Sequence, residues 1–209
     1  MKKQSSSIYV VDDDPAMLRS IKRLLSGMGF QVATFSTAHE FLDNYSEEEE
    51  HSCLILDVSL PDISGIKLQE ELISRGIDLP IVFITGYGDI PMSVKAMKQG
   101  AIDFLPKPFK EKDLLAAISR AVEKDIAVHL EKEEKERLLS IFNILTPREY
   151  EVMRLVITGL LNKQIALQLG ITERTVKVHR GRVMEKMQID SLAELVILAL
   201  KAGISPIEK

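Results

Sequence analysis

The sequence predicts an α/β domain with a doubly wound parallel sheet, then a helical linker, then a small all-α domain. Three observations support this. Over residues 1–120, short apolar runs rich in β-branched residues alternate with helical patterns, which is typical of a parallel sheet covered on both faces. Residues 123–142 are rich in Glu and Lys and contain no Gly or Pro. After Phe142 only short helical patterns follow.

Five strands and five helices are predicted in the first domain. The predicted strands are IYVV (8–11), QVATF (31–35), CLILD (53–57), PIVFIT (80–85) and AIDFL (101–105). The helical patterns between and after them are PAMLRSIKRLLSGMG, TAHEFLDNY, GIKLQEELISRG, PMSVKAMKQG and EKDLLAAISRAVEK. In the first of these, Met17, Ile21 and Leu24 recur at helical spacing. The flavodoxin-like strand order is the usual solution for a sheet of this size.

The fifth helix is predicted to continue without a break into the linker, and four short helices follow. The first of the four opens with Thr146, Pro147 and Glu149, the pattern of a capping box with Pro at the first helical position. Gly170 is predicted to end the second. The predicted N-caps of the four helices are Thr146, Asn162, Thr172 and Ser191. The predicted domains are residues 1–122, 123–142 and 143–209.

Composition narrows the class of protein. The chain has 209 residues, a formal net charge of −4 and a single cysteine, Cys53, so no internal disulfide can form. Its start lacks the pattern of a signal peptide, and its longest apolar stretch, LAELVILAL, is about half of what a membrane span needs. A cytoplasmic protein is therefore expected. Residues 143–209 carry ten Lys/Arg against seven Asp/Glu, which hints at a nucleic-acid partner for that part alone.

Polar side chains follow the predicted strands at the points where they end. Strand 1 runs into Asp12 and Asp13, strand 3 ends in Asp57, strand 4 ends in Thr85, and Lys107 follows strand 5. In an open parallel sheet, ligands bind beyond the carboxyl ends of the strands, where the winding reverses. These three acids, the hydroxyl and the amine are therefore expected to meet at one edge of the sheet.

The chemistry of this cluster favours a divalent cation. Crowded carboxylates repel one another, and hard oxygen ligands suit Mg²⁺. Asp14 precedes Pro15 and is predicted to cap the first helix, which leaves Asp12 and Asp13 to hold the ion with Asp57. A carboxylate beside Mg²⁺ can attack phosphorus and form an aspartyl phosphate. Lys107 and Thr85 would then contact the phosphoryl group. A cis bond between Lys107 and Pro108 is a further hypothesis.

The motifs VVDDD, LILDVSLPDISG, FITGYG and GAIDFLPKPF resemble, in this order and spacing, the receiver domain of two-component response regulators. The resemblance covers residues 8–120. It implies that Asp57 accepts a phosphoryl group from a sensor histidine kinase, and that Thr85 and Phe104 form a switch pair. It also implies that Mg²⁺ is surrounded by Asp12, Asp13, Asp57 and the backbone carbonyl of Ser59. Such a chain is a phosphoacceptor and not an enzyme, apart from its own phosphorylation and dephosphorylation.

Two other interpretations remain. Haloacid-dehalogenase-type phosphatases also become phosphorylated on an Asp at a strand end and use Mg²⁺. Their motif has the pattern D-x-D, in which the second Asp is the general acid. Ser59 stands at that position here and cannot do this. Alternatively, the first domain could be constitutively active or serve only for docking, although the complete set of acidic, hydroxyl and amine groups argues against that.

The segment NKQIALQLGITERTVKVHRGRVMEK has the shape of a helix-turn-helix. From Leu145 to Gly203 the chain resembles the LuxR-type DNA-binding domain, and as a whole it resembles the NarL/FixJ class of response regulators, nearer the FixJ type. The expected partners are a sensor histidine kinase and promoter DNA, with RNA polymerase as a further candidate. A homodimer is expected on phosphorylation, and no membrane partner is expected. The candidate DNA-contacting residues are Lys163, Arg174, Thr175, Lys177, Val178, Gly181 and Arg182. Gly181 either removes a base contact or allows closer approach.

Overall fold

The structure is a computed structural model and describes residues 6–46, 51–86 and 90–205. The FITGYG motif is only partly included, because Tyr87 and Gly88 lie outside these ranges. The chain divides into two compact units, Met1–His129 and Leu130–Lys209.

The first unit is built on a parallel sheet of five strands in the order β2-β1-β3-β4-β5. This confirms the predicted flavodoxin-like order. The last strand begins two residues later than predicted, because the backbone N–H of Ala101 bonds to the carbonyl of Ala96 and completes the end of the preceding helix. The strands are β1 (Ser7–Val11), β2 (Gln31–Phe35), β3 (Ser52–Asp57), β4 (Ile81–Thr85) and β5 (Asp103–Pro106).

Helices cover both faces of this sheet. Successive side chains of a strand point to opposite faces, so Ile8 and Val10 of β1 pack into one core, whereas Tyr9 and Val11 pack into the other. The central strands β1, β3 and β4 are buried throughout. The first four helices are α1 (Pro15–Gly27), α2 (Ala38–Asn44), α3 (Gly65–Ser74) and α4 (Ile90–Lys98).

The fifth helix, α5 (Glu111–Phe142), is continuous over 32 residues, as the sequence predicted. Its first half packs on the sheet of the first unit through Leu114, Ile118 and Ala121. Its end belongs to the second unit, where Leu138 and Phe142 are buried in the core. Residues 130–137 of this helix are all exposed.

The second unit contains four further helices: α6 (Pro147–Val156), α7 (Asn162–Leu169), α8 (Glu173–Met187) and α9 (Leu192–Lys201). The predicted capping box at Thr146 and Glu149 is present, and Gly170 ends α7 with a left-handed φ of 63°. Thr172 and Ser191 cap α8 and α9 as predicted.

The predicted cap at Asn162 was wrong. Asn162 is the first residue of α7, and Leu161 occupies the cap position. The side chain of Asn162 has another partner, because its Oδ1 accepts a hydrogen bond of 2.7 Å from Arg180 on α8. The Oε1 atom of Gln164 accepts the backbone N–H of Leu161 at 2.8 Å instead.

Within the ranges that the structure describes, no helix is both long enough and apolar enough to cross a membrane.

Candidate functional site

The carboxylates that follow β1 and β3 meet at one edge of the sheet. Carboxylate oxygens of Asp12, Asp13 and Asp57 all lie within 4.8 Å of one another. Asp12 and Asp57 are buried at the ends of buried strands, whereas Asp13 is exposed. Asp14 points elsewhere: its side chain accepts the backbone N–H of Ala16 at 2.8 Å and caps α1. The structure therefore brings the three predicted acids together and leaves Asp14 as a cap.

Lys107 joins two of these acids. Its Nζ atom donates to Asp12 Oδ2 and to Asp57 Oδ2, each at 2.7 Å. The peptide bond between Lys107 and Pro108 is cis, as hypothesised. The backbone N–H of Lys107 also bonds to the carbonyl of Thr85 at 2.6 Å. The loop after β5 is thus held directly against the end of β4.

Burial and ion pairing shift the pKa values of Asp12 and Lys107 in opposite directions. Burial raises the pKa of the Asp12 carboxyl above its usual range, and the hydrogen bond from Lys107 offsets part of that rise. Burial alone would lower the pKa of Lys107, but its hydrogen bonds to Asp12 and Asp57 raise it overall. The amine therefore stays charged between the two carboxylates.

The donor set fits Mg²⁺. Three carboxylates within reach of one ion are the hard oxygen ligands that this cation prefers. Among the residues that the structure describes, these three acids face the amine of Lys107, so negative charge is in excess. The loop after β3 also lies close, because the backbone N–H of Ser59 donates to Asp57 Oδ1 at 3.2 Å. Asp12, Asp13 and Asp57 are thus the side chains that could hold the ion.

The two predicted switch residues lie on neighbouring strands. Thr85 is fully buried at the end of β4. Phe104 on β5 is half-buried, and its ring centroid lies 6.0 Å from that of Phe83 on β4. The side chain of Phe104 is therefore partly exposed at the surface and contacts an aromatic neighbour in the core.

Helix α8 of the second unit has one buried face and one exposed face. Val176, Val183 and Met187 are buried in its core, and the half-buried Arg180 bonds to Asn162. Thr175 is half-buried at the start of the helix, where its hydroxyl contacts that of Thr172 at 2.8 Å. The remaining candidates on α8 are all exposed: Arg174, Lys177, Val178, Gly181 and Arg182. Lys163, on α7, is exposed as well. One face of α8 is therefore buried in the core of the second unit, and the opposite face exposes most of the candidate residues.

Both units match known families. Residues 8–119 match the response regulator receiver domain, and residues 143–199 match the bacterial regulatory proteins of the luxR family. The chain belongs to the response regulators. This response regulator is a transcriptional regulator of the two-component type, with a receiver domain and a LuxR-type DNA-binding domain.

Relatives of this response regulator share both domains. It is 48% identical to nodulation protein W of Bradyrhizobium diazoefficiens, over 95% of this chain and 87% of that protein. Among solved structures it is similar to the response regulator StyR, with 47% identity, a TM-score of 0.78, and coverage of 94% and 99% of the two chains. It is also similar to full-length FixJ from B. japonicum, with 41% identity, a TM-score of 0.58, and coverage of 95% and 98%.

Asp62 in the receiver of this response regulator was missed from the sequence. It accepts the backbone N–H of His39 at 2.9 Å and contacts the His39 ring at 2.7 Å, and so ties the loop after β3 to the start of α2. Burial alone would raise the pKa of Asp62, but the hydrogen bonds from His39 and its neighbours hold it well below its usual range. The only sequence signal is an Asp within the loop motif LPDISG.

Proposed function

We propose that Asp57 is the phosphoacceptor of this response regulator and takes its phosphoryl group from a sensor histidine kinase. A carboxylate oxygen of Asp57 attacks phosphorus, the bond from phosphorus to the histidine nitrogen breaks, and the imidazole keeps the electron pair. The observation that carries the proposal is the juxtaposition of Asp57 with Asp12, Asp13 and Lys107 at the carboxyl ends of the strands.

Mg²⁺, when bound, would offset negative charge on the transferring oxygens. Asp12, Asp13 and Asp57 would hold it, and the backbone carbonyl of Ser59 is the fourth ligand that we propose. Lys107 already contacts Asp57, so its amine is positioned to pair with a phosphoryl group formed there. The hydroxyl of Thr85 would donate to the same group.

The response to phosphorylation is proposed to pass through Thr85 and Phe104 to the surface formed by α4, β5 and α5. Movement of Thr85 toward the phosphoryl group would leave space for Phe104 to turn inward. Two apolar residues of α4, Val94 and Met97, are 46% and 45% exposed, which supports an interface on this surface. We propose that it forms a homodimer when Asp57 is phosphorylated.

The DNA-binding domain is proposed to read promoter DNA with the exposed face of α8. A major groove admits an α-helix, and this face carries Arg174, Lys177 and Arg182 around the apolar Val178. Lys177 and Val178 would face bases, while Lys163, Arg174, Thr175 and Arg182 would contact the DNA backbone. The proposed domains are the receiver at residues 1–122, the linker at 123–142 and the DNA-binding domain at 143–209. Because its proposed binding partner is promoter DNA, the protein would act in the cytoplasm. There it would also contact RNA polymerase.

The phosphoacceptor is tested by incubating the full chain with acetyl phosphate and Mg²⁺. We expect intact-mass spectrometry to show one added phosphoryl group on the wild type and none on Asp57→Asn. Asp14→Asn is the matched control, because Asp14 follows β1 next to Asp13 but caps α1, and it should be phosphorylated like the wild type. Phosphorylation of Asp57→Asn to the wild-type extent would refute the proposal. Continuous release of phosphate over many turnovers would instead favour the phosphatase.

The DNA-contacting face is tested with Lys177→Ala. If Lys177 reaches a phosphate, binding weakens and the slope of log K against log salt becomes less steep by about 0.9. Lys201→Ala is the control, since Lys201 is an exposed lysine on α9 and not on α7 or α8, which carry the proposed contacts. Equal binding by the wild type and Lys177→Ala at all salt concentrations would remove Lys177 from the interface.

A further inference from the structure

A buried acid stands on the apolar stripe of α5. The buried residues of this stripe recur at helical spacing and pack on the sheet: Leu114, Ala117, Ile118 and Ala121. The next position of the same stripe is Asp125, which is only 1% exposed. A carboxylate at such a position is costly unless hydrogen bonds and nearby charges compensate for its burial.

The partners of Asp125 come from the amino end of β3. Its Oδ2 atom accepts the backbone N–H of Ser52 at 2.8 Å, and its carboxylate also bonds to the backbone N–H of His51. Within the described residues, the ion-pair partner of Asp125 is His129 one turn further along α5, with its Nδ1 atom 3.5 Å from Oδ2. The carboxylate thus joins α5 to the first residues of β3, 73 positions away in sequence.

These contacts do not make the charge favourable. Burial raises the pKa of Asp125, and the hydrogen bond from Ser52 and the imidazoles of His129 and His51 offset only part of the rise. An apolar side chain at this position would remove the buried charge but would leave the backbone N–H of Ser52 without an acceptor. What an apolar residue cannot provide is direction: hydrogen bonds to two consecutive backbone N–H groups fix one register of the helix on the strand.

Both elements that Asp125 joins belong to the signalling part of the fold. β3 carries Asp57 at its other end. α5 continues without a break to Phe142, and both Leu138 and Phe142 are buried in the core of the second unit. The bond between Asp125 and Ser52 therefore links the strand of the phosphoacceptor to the helix that leads into the DNA-binding domain.

We propose that Asp125 is a positioning residue: it holds α5 in one register against β3, and the DNA-binding domain responds to phosphorylation only while that register is held. This rests on the proposed role of Asp57 as phosphoacceptor. Asp125 is not required for phosphoryl transfer itself, since its carboxylate lies at the opposite end of β3.

The experiment compares the full-length wild type with Asp125→Leu, Asp125→Asn and the control Glu123→Gln, which removes an exposed charge from the same turn of α5. The probe is a DNA duplex selected from a random library by the wild type in the presence of acetyl phosphate and Mg²⁺. For each protein, three quantities are measured: phosphorylation at Asp57 by mass spectrometry, the melting temperature, and the ratio of duplex affinities with and without the phosphodonor.

The wild type and Glu123→Gln are expected to gain about tenfold in affinity on phosphorylation. Asp125→Leu should melt somewhat below the wild type, because the backbone N–H of Ser52 loses its acceptor. At a temperature where it is fully folded, it should be phosphorylated to the same extent as the wild type, yet gain less than about twofold in affinity. Asp125→Asn keeps one acceptor oxygen for the backbone N–H groups. Its gain in affinity should therefore lie between those of Asp125→Leu and the wild type. If the leucine variant does not fold, the asparagine variant decides the question.

A full gain in affinity by the folded Asp125→Leu protein would overturn the inference and leave the proposed function intact. A gain that falls only where the variant is partly unfolded or less phosphorylated would also overturn it, since that would show a merely structural role. If the wild type itself gains no affinity although it is phosphorylated, the proposed function fails as well.

Discussion

The pocket at the strand ends and the exposed face of α8 are organised in opposite ways. In the pocket, Asp12 and Asp57 are buried, and both are bonded to Lys107. On α8, Lys177, Val178 and their neighbours are exposed to solvent. The buried acids of the pocket are therefore held in place by bonds within the protein, whereas the proposed DNA-contacting face would make its contacts only on binding. Substitutions in and around the pocket should consequently change stability more than substitutions on α8.

The largest effect is expected for Gly65→Ala, behind the pocket. A Cβ atom at Gly65 would lie 2.3 Å from the backbone oxygen of Asp57, and backbone cannot move aside as a flexible side chain can. We expect the free energy of unfolding of the receiver to fall by about 3 kcal/mol, as measured by urea denaturation. At Gly27, a Cβ atom would meet nothing within 4 Å, so Gly27→Ala is the control and should cause no loss. Equal stability of the two variants would show that the pocket tolerates backbone movement.

An intermediate effect is expected at Glu149 in the DNA-binding domain. Its carboxylate accepts a hydrogen bond of 2.6 Å from Lys186 and one of 2.9 Å from the backbone N–H of Thr146, and these lower its pKa to about 2. Because the folded pKa lies below the unfolded value, this contribution to stability is present above about pH 4.5 and is lost as the pH falls toward about 2.

The test is thermal unfolding of the wild type and Glu149→Gln as a function of pH, with hydrogen exchange of α6 reporting on the DNA-binding domain. Glu149→Gln should be less stable near neutral pH, and the difference should shrink as the pH is lowered. Glu151→Gln, which removes the partner of Arg148 on the same helix, should show a smaller change. A difference between the wild type and Glu149→Gln that stays constant with pH would contradict the assignment.

Two of the buried acids, Asp125 in the first unit and Glu149 in the second, differ in how readily the sequence reveals them. Glu149 was predicted correctly as part of a capping box, because capping depends on spacing within four residues. Asp125 was not recognised, since its partner Ser52 lies far away in sequence and its neighbours are the charged residues of an exposed helix. Local sequence patterns predict local hydrogen bonds. A carboxylate that bonds to a distant strand has no such pattern in the sequence around it.

The same reasoning explains which parts of the fold could be predicted. The strands, their order and the meeting of Asp12, Asp13, Asp57 and Lys107 follow from alternating patterns and from the rule that parallel strands end at one edge. The cap of α7 was wrong because Asn162 bonds to Arg180 on another helix. The start of β5 was wrong because Ala101 bonds to Ala96 and completes the end of α4 instead of beginning the strand.

The smallest effect is expected for Gly181→Ala on the exposed face of α8. A Cβ atom there would meet nothing within 4 Å, and Ala is favoured over Gly in a helix by about 1 kcal/mol, so the DNA-binding domain should become slightly more stable. Chemical denaturation measures this gain. Weaker binding of the phosphorylated variant to its selected duplex would assign Gly181 to close approach of the backbone, and unchanged binding would leave it as a position without a base contact. A loss of stability would contradict the exposed placement of Gly181.

The most direct test of the account is the affinity of the full chain for a selected DNA duplex with and without acetyl phosphate and Mg²⁺, measured for the wild type and Asp57→Asn. The account predicts that the wild type binds about tenfold more tightly with the phosphodonor and that Asp57→Asn shows no change. An equal gain by Asp57→Asn, or no gain by a wild type that is fully phosphorylated, would contradict it.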